Sequence, residues 1–255
     1  MGVSISHLKL ECYGLSDIGL VRSNNEDLWT CIEKHGFFAL ADGMGGHKSG
    51  EVAAKEAITF VRSSIEEFFI FPQTNSTLFD LSSLFTLSIE NANSWVYSLG
   101  QKRKEYRGMG TTLCTLLFHD NSIIYSNVGD SRIYRYRNKA LKQLTSDHSL
   151  KNQLISKGKF VDGSHRHFPY KNVLTRAIGT HVDVEVDTHI GTVNTNDVYL
   201  MCSDGLTDYV DDLAISKTMS QSQNTKEITL SLINQAKHKG GCDNITVVII
   251  KVGEN

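Results

Sequence analysis

Apolar residues recur at helical spacing in two long segments of the chain. Over residues 50–69 and 82–101 they step by three and four positions, which predicts two amphipathic helices that each pack one face on a sheet. Residues 228–236 show the same spacing and lead to Gly240-Gly241, a typical helix end. A short helix over 150–157 is predicted after a polar run with helix-capping character.

Strand-like runs occupy much of the remaining chain. Residues 8–16 and 28–41 predict a strand pair, closed by a turn-rich stretch at 42–50. Near the C-terminal end, residues 198–203 and 245–252 are apolar runs that predict two further strands.

The central part of the chain, residues 111–144, changes to period two and to short apolar runs. This pattern predicts an antiparallel meander with turns at Asp120-Asn121 and Asn138-Lys139. The predicted helices are therefore grouped between blocks of consecutive strands. Such grouping favours an α+β layered sandwich over an alternating βαβ fold.

Composition and charge restrict the class of protein. The 255-residue chain is 40% hydrophobic and 21% charged, as in soluble globular proteins. A net charge of −2 without a dense Lys/Arg stripe argues against a nucleic-acid partner. No apolar run approaches the roughly 20 residues that cross a bilayer, and the first ten residues lack a secretory pattern. We therefore expect a cytoplasmic monomer without a membrane partner.

The cysteines are odd in number, widely spaced and without a C-x-x-C pair: Cys12, Cys31, Cys114, Cys202 and Cys242. This pattern predicts reduced thiols in a cytosolic protein, not a disulfide framework or a zinc knuckle.

Four aspartates stand where an apolar strand-like run begins or ends: Asp42, Asp130, Asp204 and Asp243. A carboxylate at the mouth of a buried strand is costly unless its charge is compensated. If these strands share one sheet system, the carboxylates meet at one rim, where they repel each other and take up protons unless cations neutralise them. The pattern therefore predicts a site for more than one metal ion.

Glycines accompany these aspartates. In Asp42-Gly43 and Asp204-Gly205 the glycine lets the backbone turn sharply, so that its carbonyl can approach the ion that the carboxylate binds. Hard cations such as Mg²⁺ and Mn²⁺ accept both kinds of oxygen. Asp208 adds another acid four residues after Asp204. Each Asp-Gly pair alone is an ordinary turn, and only the set of them on apolar strands indicates a site.

Arg22 precedes an acidic run that contains Glu26 and Asp27. A planar guanidinium grips two phosphate oxygens at once, so Arg22 is a candidate phosphate-binding residue. Glu26 and Asp27 are candidates for holding metal-bound waters. By itself this run would be a solvated loop. Further along, the polar and positively charged stretch 148–172 is either a solvent loop or a flap that contacts an anionic phosphopeptide.

Taken in order, the segments resemble one family. Eight motifs carry the resemblance: DIGLVRSNNED at 17–27, ADGMGGH at 41–47, GMGTT at 108–112, VGDSR at 128–132, LTSDHS at 144–149, NVLTRAIG at 172–179, CSDGLTD at 202–208 and GGCDNITV at 240–247. Over residues 12–252 the chain resembles the metal-dependent serine/threonine protein phosphatases (PPM, type 2C), in their bacterial single-domain branch.

The resemblance implies a fold and a site. The implied fold is a four-layer α-β-β-α sandwich of two antiparallel sheets flanked by helices, in one domain over residues 1–255 with a flap-like segment at 148–172. Two Mn²⁺ or Mg²⁺ ions are implied, with a weaker third. The implied binding residues are Asp42 for both ions, the Gly43 carbonyl for the first, Asp204 and Asp243 for the second, Asp130 with Asp204 and Asp208 for the third, and Arg22 for the substrate phosphate.

The resemblance also implies an activity in signal transduction. The enzyme would hydrolyse phosphoserine and phosphothreonine in proteins by in-line attack of a metal-bridging water, and so reverse a bacterial eukaryote-like Ser/Thr kinase. Met44 stands where other members often have a histidine proposed as the general acid, so a metal-bound water is the first candidate for that role and His47 the second.

Two alternative functions remain open from the sequence. One is a phosphatase-shaped binding module without catalysis, which should lack one or more of the acids. The other is a metal-dependent hydrolase of nucleotides or other small phosphoesters.

Overall fold

A computed structural model of the protein describes residues 2–5, 8–45, 49–70, 77–158, 170 and 172–254. Among these residues, the strands are β1 (Gly2–Ile5), β2 (Leu8–Asp17), β3 (Asp27–Ile32), β4 (Phe37–Met44), β5 (Gly110–Thr111), β6 (Leu113–His119), β7 (Ser122–Val128), β8 (Arg132–Arg137), β9 (Ala140–Gln143), β10 (Asp187–Thr192), β11 (Val198–Cys202) and β12 (Ile245–Glu254). The α-helices are α1 (Ser49–Ile70), α2 (Leu78–Lys102), α3 (Leu150–Ser156), α4 (Asp204–Thr207), α5 (Asp212–Gln221) and α6 (Thr225–His238).

The strands pair antiparallel in two sheets. The first sheet has the order β1-β2-β12-β11-β8-β9, and the second has the order β10-β7-β6-β4-β3, with β5 pairing with β4. Sequence neighbours therefore do not always share a sheet, and the chain crosses between the two sheets several times.

Three clusters of buried side chains mark the interfaces between layers. One joins α1 and α2 to the second sheet, one lies between the sheets, and one joins α5 and α6 to the first sheet. Strand β4 contributes to two of them, because alternate side chains point to opposite faces. Phe37, Ala39 and Ala41 pack towards the helices, whereas Phe38 and Leu40 pack towards the other sheet. The predicted α-β-β-α sandwich is confirmed.

Aromatic rings hold the two sheets together at the middle of the sandwich. The ring of Phe118 lies edge-on to Phe38 and Tyr199, with centroid separations of 6.0 and 5.2 Å. Tyr199 belongs to the first sheet and the other two belong to the second. All three are almost fully buried, so this contact fixes how the sheets face each other.

The predicted pairing of residues 8–16 with 28–41 is wrong. Strand β2 pairs with β12 in the first sheet, whereas β3 pairs with β4 in the second. Residues 28–41 are themselves a hairpin, in which a 3₁₀ turn at Glu33–His35 joins β3 to β4. Apolar alternation marks a strand and its faces, but it does not identify the partner strand.

The predicted meander over 111–144 is divided between the sheets. Strands β6 and β7 form a hairpin in the second sheet, and β8 and β9 form one in the first. The chain crosses from one sheet to the other between Val128 and Arg132. This crossing carries Asp130 to the rim of the sandwich.

The helices predicted from periodicity are confirmed, with ends a few residues beyond the predicted ones for α2 and α6. A capping box at Thr77 starts α2. Strands β1, β5 and β10 and helices α4 and α5 were not predicted. In the described part of the chain, no helix combines the length and apolarity needed to cross a bilayer.

We expect Phe118→Ala to lower the free energy of unfolding by about 3–5 kcal/mol, because it leaves a cavity between the sheets. Phe79→Ala is the matched control, since Phe79 is 72% exposed at the start of α2. Chemical denaturation of both variants measures the difference. Equal losses in the two variants would contradict the role given to the inter-sheet rings.

Candidate metal centre

The four predicted aspartates meet in one cleft at the end of the sandwich. The cleft has a volume of about 230 Å³, and Asp42, Asp130, Asp204 and Asp243 all line it. Asp42 comes from β4 of the second sheet, while Asp204 follows β11 and Asp243 precedes β12 in the first sheet. The site is therefore assembled from both sheets.

The cleft raises the pKa values of these acids. The pKa of Asp42 and that of Asp204 lie well above the usual range, because burial disfavours the charged carboxylate and neighbouring aspartates add repulsion. The pKa of Asp130 is raised to about 7, mainly by burial and then by Asp147. At neutral pH the cluster can be fully ionised only if positive charge enters the cleft.

Asp27 lies directly behind the cleft. It is the cross-strand partner of Asp42 in the β3–β4 pair and is 7% exposed. Its Oδ2 accepts hydrogen bonds from the Ser203 and Thr246 hydroxyls, each at 2.7 Å. Its Oδ1 is buried without a hydrogen-bond donor among the described residues. Burial raises the pKa of Asp27 to about 6.

The Asp42 backbone is held from the side by two threonines. Asp42 N–H donates to Thr112 Oγ1 at 2.9 Å, and its carbonyl accepts from Thr111 Oγ1 at 2.9 Å and from Thr112 N–H at 2.8 Å. The end of β4 is thus fixed, and its carboxyl group faces the cleft. The threonines belong to the GMGTT motif, to which the sequence analysis gave no role.

Gly43 has no room for a side chain. A Cβ at this position would collide with the Gly50 carbonyl and would lie 2.8 Å from the Glu26 carbonyl. Gly43 N–H donates to the Glu26 carbonyl at 3.1 Å. The Asp42-Gly43 turn therefore packs directly against the start of α1 and the Arg22–Asp27 loop.

Asn244 joins the loop before β12 to the stretch from Ile18 to Glu26, and no sequence pattern indicated this role. Its Nδ2 donates to the carbonyls of Ile18 and Asn24 at 3.0 and 2.9 Å, and its Oδ1 accepts from Glu26 N–H at 2.8 Å. A Cβ on Gly205 would collide with the Asn244 carbonyl. The only sequence signal was an asparagine directly after Asp243.

Arg22 lies at the mouth of the cleft. Its Nη2 donates to Asp243 Oδ2 at 2.8 Å, and its side chain is 54% exposed. The pKa of Arg22 is raised by this hydrogen bond to Asp243, so the guanidinium is always charged. Glu26 also lines the cleft, and burial raises its pKa.

Asp208 lies beside the cleft without lining it. Its N–H donates to the Asp204 carbonyl at 2.8 Å, one helical turn away. Its charge contributes to the raised pKa values of Asp204 and Asp130.

A second network supports the Asp130 loop from behind. Gly129 N–H donates to Nδ1 of the buried His148, so that Nε2 carries the ring proton and donates to Asp187 at 3.2 Å. Arg176 Nη1 donates to the same Asp187 carboxylate at 2.8 Å. The sequence analysis missed this triad because its members lie 11 to 39 positions apart.

The 148–172 segment is described only at its two ends. Leu150 N–H donates to the Val173 carbonyl at 2.8 Å, which ties the start of α3 to the residues after the segment. Asn172 and Leu174 line the cleft. Residues 159–169 and 171, which carry much of the predicted positive charge, lie outside the described residues, as does His47.

The cleft fits hard divalent cations. Its described lining offers carboxylates and no thiol or imidazole, and oxygen ligands suit Mg²⁺ and Mn²⁺. Cys202 is fully buried among apolar side chains, and Cys242 hydrogen-bonds to the Gly240 carbonyl. The excess of negative charge in the cleft favours bound cations.

Comparisons with known proteins agree on one family. A family model described as protein phosphatase 2C matches residues 21–235. The protein phosphatase PhpP of Streptococcus pneumoniae is 35% identical over 243 residues, covering 94% of this chain and 96% of the relative. The crystal structure of the Mycobacterium tuberculosis serine/threonine phosphatase PstP/Ppp is similar with a TM-score of 0.87 and 33% identity, over 96% of this chain and 99% of that one.

A further solved structure is similar and contains metal. It is the catalytic domain of serine/threonine protein phosphatase PstP in complex with two manganese ions, with a TM-score of 0.84 and 32% identity, over 97% of this chain and 100% of that one.

We expect the stability of the EDTA-treated protein to depend on the charge of Asp130. Its pKa rises on folding from 3.8 to about 7, so the folded state holds the proton more tightly than the unfolded state. This contribution stabilises the fold below pH 3.8 and is lost as the pH rises through about 7. As the pH rises from 3.8 to about 7, the free energy of unfolding of Asp130→Asn should therefore increase relative to that of wild type, by on the order of 2 kcal/mol.

Denaturant titrations in EDTA across this pH range measure the difference between the two proteins. The exposed Asp183 provides the matched control, Asp183→Asn. A difference between Asp130→Asn and wild type that stays constant with pH would contradict the interpretation.

Proposed function

This chain belongs to the protein phosphatase 2C family and is a metal-dependent protein serine/threonine phosphatase, and we propose that its reaction takes place in the cleft lined by Asp42, Asp204 and Asp243. The observation that carries this proposal is the meeting of these carboxylates, from both sheets, at one rim. Their raised pKa values support a cluster adapted to bound cations.

We assign metal-binding roles from the surroundings of each acid. Asp42 stands on the second sheet, whereas Asp204 and Asp243 belong to the first, so Asp42 would bind both ions. The Gly43 carbonyl would bind the first ion, and Asp204 and Asp243 the second. Asp130, with Asp204 and Asp208, would bind a weaker third. The related two-manganese PstP complex supports two ions, with Mn²⁺ or Mg²⁺ as the candidates.

When bound, a pair of such ions neutralises phosphate oxygens and lowers the pKa of a coordinated water molecule. The protein's own residues then position the substrate. Arg22 presents a charged guanidinium at the cleft mouth, where it can donate two N–H groups to a phosphate. Its hydrogen bond to Asp243 aims it towards the acids.

Water and the general acid involve other described residues of the cleft. Glu26 lines the cleft and is suited to accept hydrogen bonds from water there, whereas the buried Asp27 lies behind Asp42 and is not part of the described lining. Met44 lines the cleft but has no acidic proton. We therefore propose water as the first candidate to give the leaving serine or threonine oxygen its proton, with His47, which lies outside the described residues, as the second.

The substrate is a phosphorylated protein. We propose that residues 148–172 form the flap that contacts the peptide, since Asn172 and Leu174 line the cleft. We further propose a cytoplasmic monomer, made of one domain over residues 1–255, that opposes a Ser/Thr kinase.

We expect the purified protein to hydrolyse a phosphothreonine peptide with Mn²⁺, to leave ATP largely uncleaved, and to lose activity in EDTA. Asp42→Asn and Asp243→Asn should each abolish turnover, because each removes a proposed ligand. Phosphate release measures both, and circular dichroism checks the fold.

Asp183→Asn is the control for loss of an exposed carboxylate. Near-wild-type turnover by either cleft variant would contradict the assigned site. Preference for ATP would favour the small-phosphoester alternative, and no hydrolysis would favour a binding module.

We expect Arg22→Ala chiefly to raise KM for the phosphopeptide, because it removes a phosphate-binding group at the cleft mouth. Arg22→Lys should recover part of the lost substrate affinity, since lysine keeps the positive charge but lacks the paired N–H donors of a guanidinium. Steady-state kinetics of the three proteins are the measurement. An unchanged KM in Arg22→Ala would contradict the proposed role.

A further inference from the structure

Two cysteines from opposite sheets meet away from the catalytic cleft. Cys12 lies in β2 of the first sheet and Cys31 in β3 of the second. Their Sγ atoms and a carboxylate oxygen of Glu33 all lie within 4.8 Å of one another. Cys12 and Cys31 are half-buried, while Glu33 is exposed in the 3₁₀ turn after β3.

Gly14 on β2 lies against Trp29 on β3, and this small residue lets the two strands approach closely. A Cβ on Gly14 would lie 2.6 Å from the ring of Trp29, so glycine makes room for the indole. Side chains two positions apart share a strand face, which places Cys12 beside Gly14 and Cys31 beside Trp29. The close approach of the two strands at the indole therefore also brings the two thiols together.

The surroundings favour a thiolate at Cys31. The neighbouring Cys12 thiol lowers the pKa of Cys31 to about 7, although burial and the Glu33 charge act in the opposite direction, and the Arg62 charge adds a smaller lowering contribution. Arg62 is held in place by hydrogen bonds to the Cys31 carbonyl and to Thr30 Oγ1, both at 2.7 Å. The pKa of Cys12 is raised in turn, first by the neighbouring Cys31 thiol. Cys31 is therefore the thiol that loses its proton more readily when a metal cation binds.

We propose that Cys12, Cys31 and Glu33 form a second metal site, for a thiolate-preferring divalent ion of the zinc class. Two thiolates and a carboxylate are suitable ligands for tetrahedral Zn²⁺, with the fourth position open to water beside the exposed Glu33. The candidate ligands in the catalytic cleft are carboxylate and carbonyl oxygens, which prefer hard ions. The two sites therefore select different metals.

The site lies along β3 from the catalytic centre. Cys31 is four residues from Asp27, which corresponds to about 13 Å of strand. An ion at the site would join the first sheet to the second. The catalytic acids are divided between the same two sheets, so the bound ion would restrain the relative position of the two halves of the cleft.

Cobalt(II) is the probe, because it replaces zinc and gives a thiolate charge-transfer band only when sulfur binds it. The full chain carries Cys242→Ser, which removes the exposed thiol, and is reduced, kept anaerobic and pre-saturated with Mg²⁺. We expect about one equivalent of cobalt with this band, displaced by Zn²⁺, and an increase in Tm with Zn²⁺.

Variants decide between this site and other modes of binding. Cys12→Ser and Cys31→Ser should each lose the band, and Glu33→Gln should weaken binding by about tenfold or more. Glu33 is exposed, so Glu33→Gln tests the site without disturbing the core. Glu67→Gln, an exposed carboxylate on α1, is the control and should bind as wild type.

Absence of the band in the reduced protein would overturn the proposal, as would a band that persists in both cysteine variants. Equal affinities in Glu33→Gln and Glu67→Gln would remove Glu33 from the site. A pair that forms a disulfide on oxidation, yet binds no cobalt when reduced, would also overturn the proposal and would identify a redox pair instead.

Discussion

The structure depends on keeping several carboxylates together at the rim of an apolar sandwich. Water cannot fully solvate Asp42 or Asp204 there, and each raises the cost of ionising the others. Removing these acids would relieve the repulsion and, under the proposed function, remove the chemistry. The cluster can be fully charged at neutral pH only with added positive charge. If divalent cations supply it, as proposed, one electrostatic constraint links folding, metal affinity and catalysis.

The sandwich makes this cluster possible because two sheets face each other with their ends aligned. The rings of Phe38, Phe118 and Tyr199 set the spacing of the sheets. At the rim, Asn244 and the threonines beside Asp42 use side-chain hydrogen bonds to fix backbone that strand pairing no longer holds. The proposed reaction requires such rigid positioning of the proposed metal ligands and of Arg22, since the transition state of phosphoryl transfer needs mainly charge stabilisation and alignment.

The sequence was sufficient for the features that depend on local pattern. Helical periodicity located α1, α2 and α6, and the Asp-Gly pairs at strand ends located the acids of the cleft. It failed where partners are distant. The pairing of β2 with β12 and the hydrogen bonds of Asn244 to residues 18–26 depend on contacts more than 200 residues apart. The position of Asp130 depends on a change of sheet.

By itself, the sequence determined most of the strands, the acids at their ends and the family that the chain resembles, because side-chain periodicity and motif order are local properties of the chain. Only the tertiary structure decided that Asp27 stands behind Asp42, that Arg22 pairs with Asp243, and that Cys12 meets Cys31. The reason is physical: packing two sheets face to face brings together side chains whose separation in sequence carries no signal of their proximity.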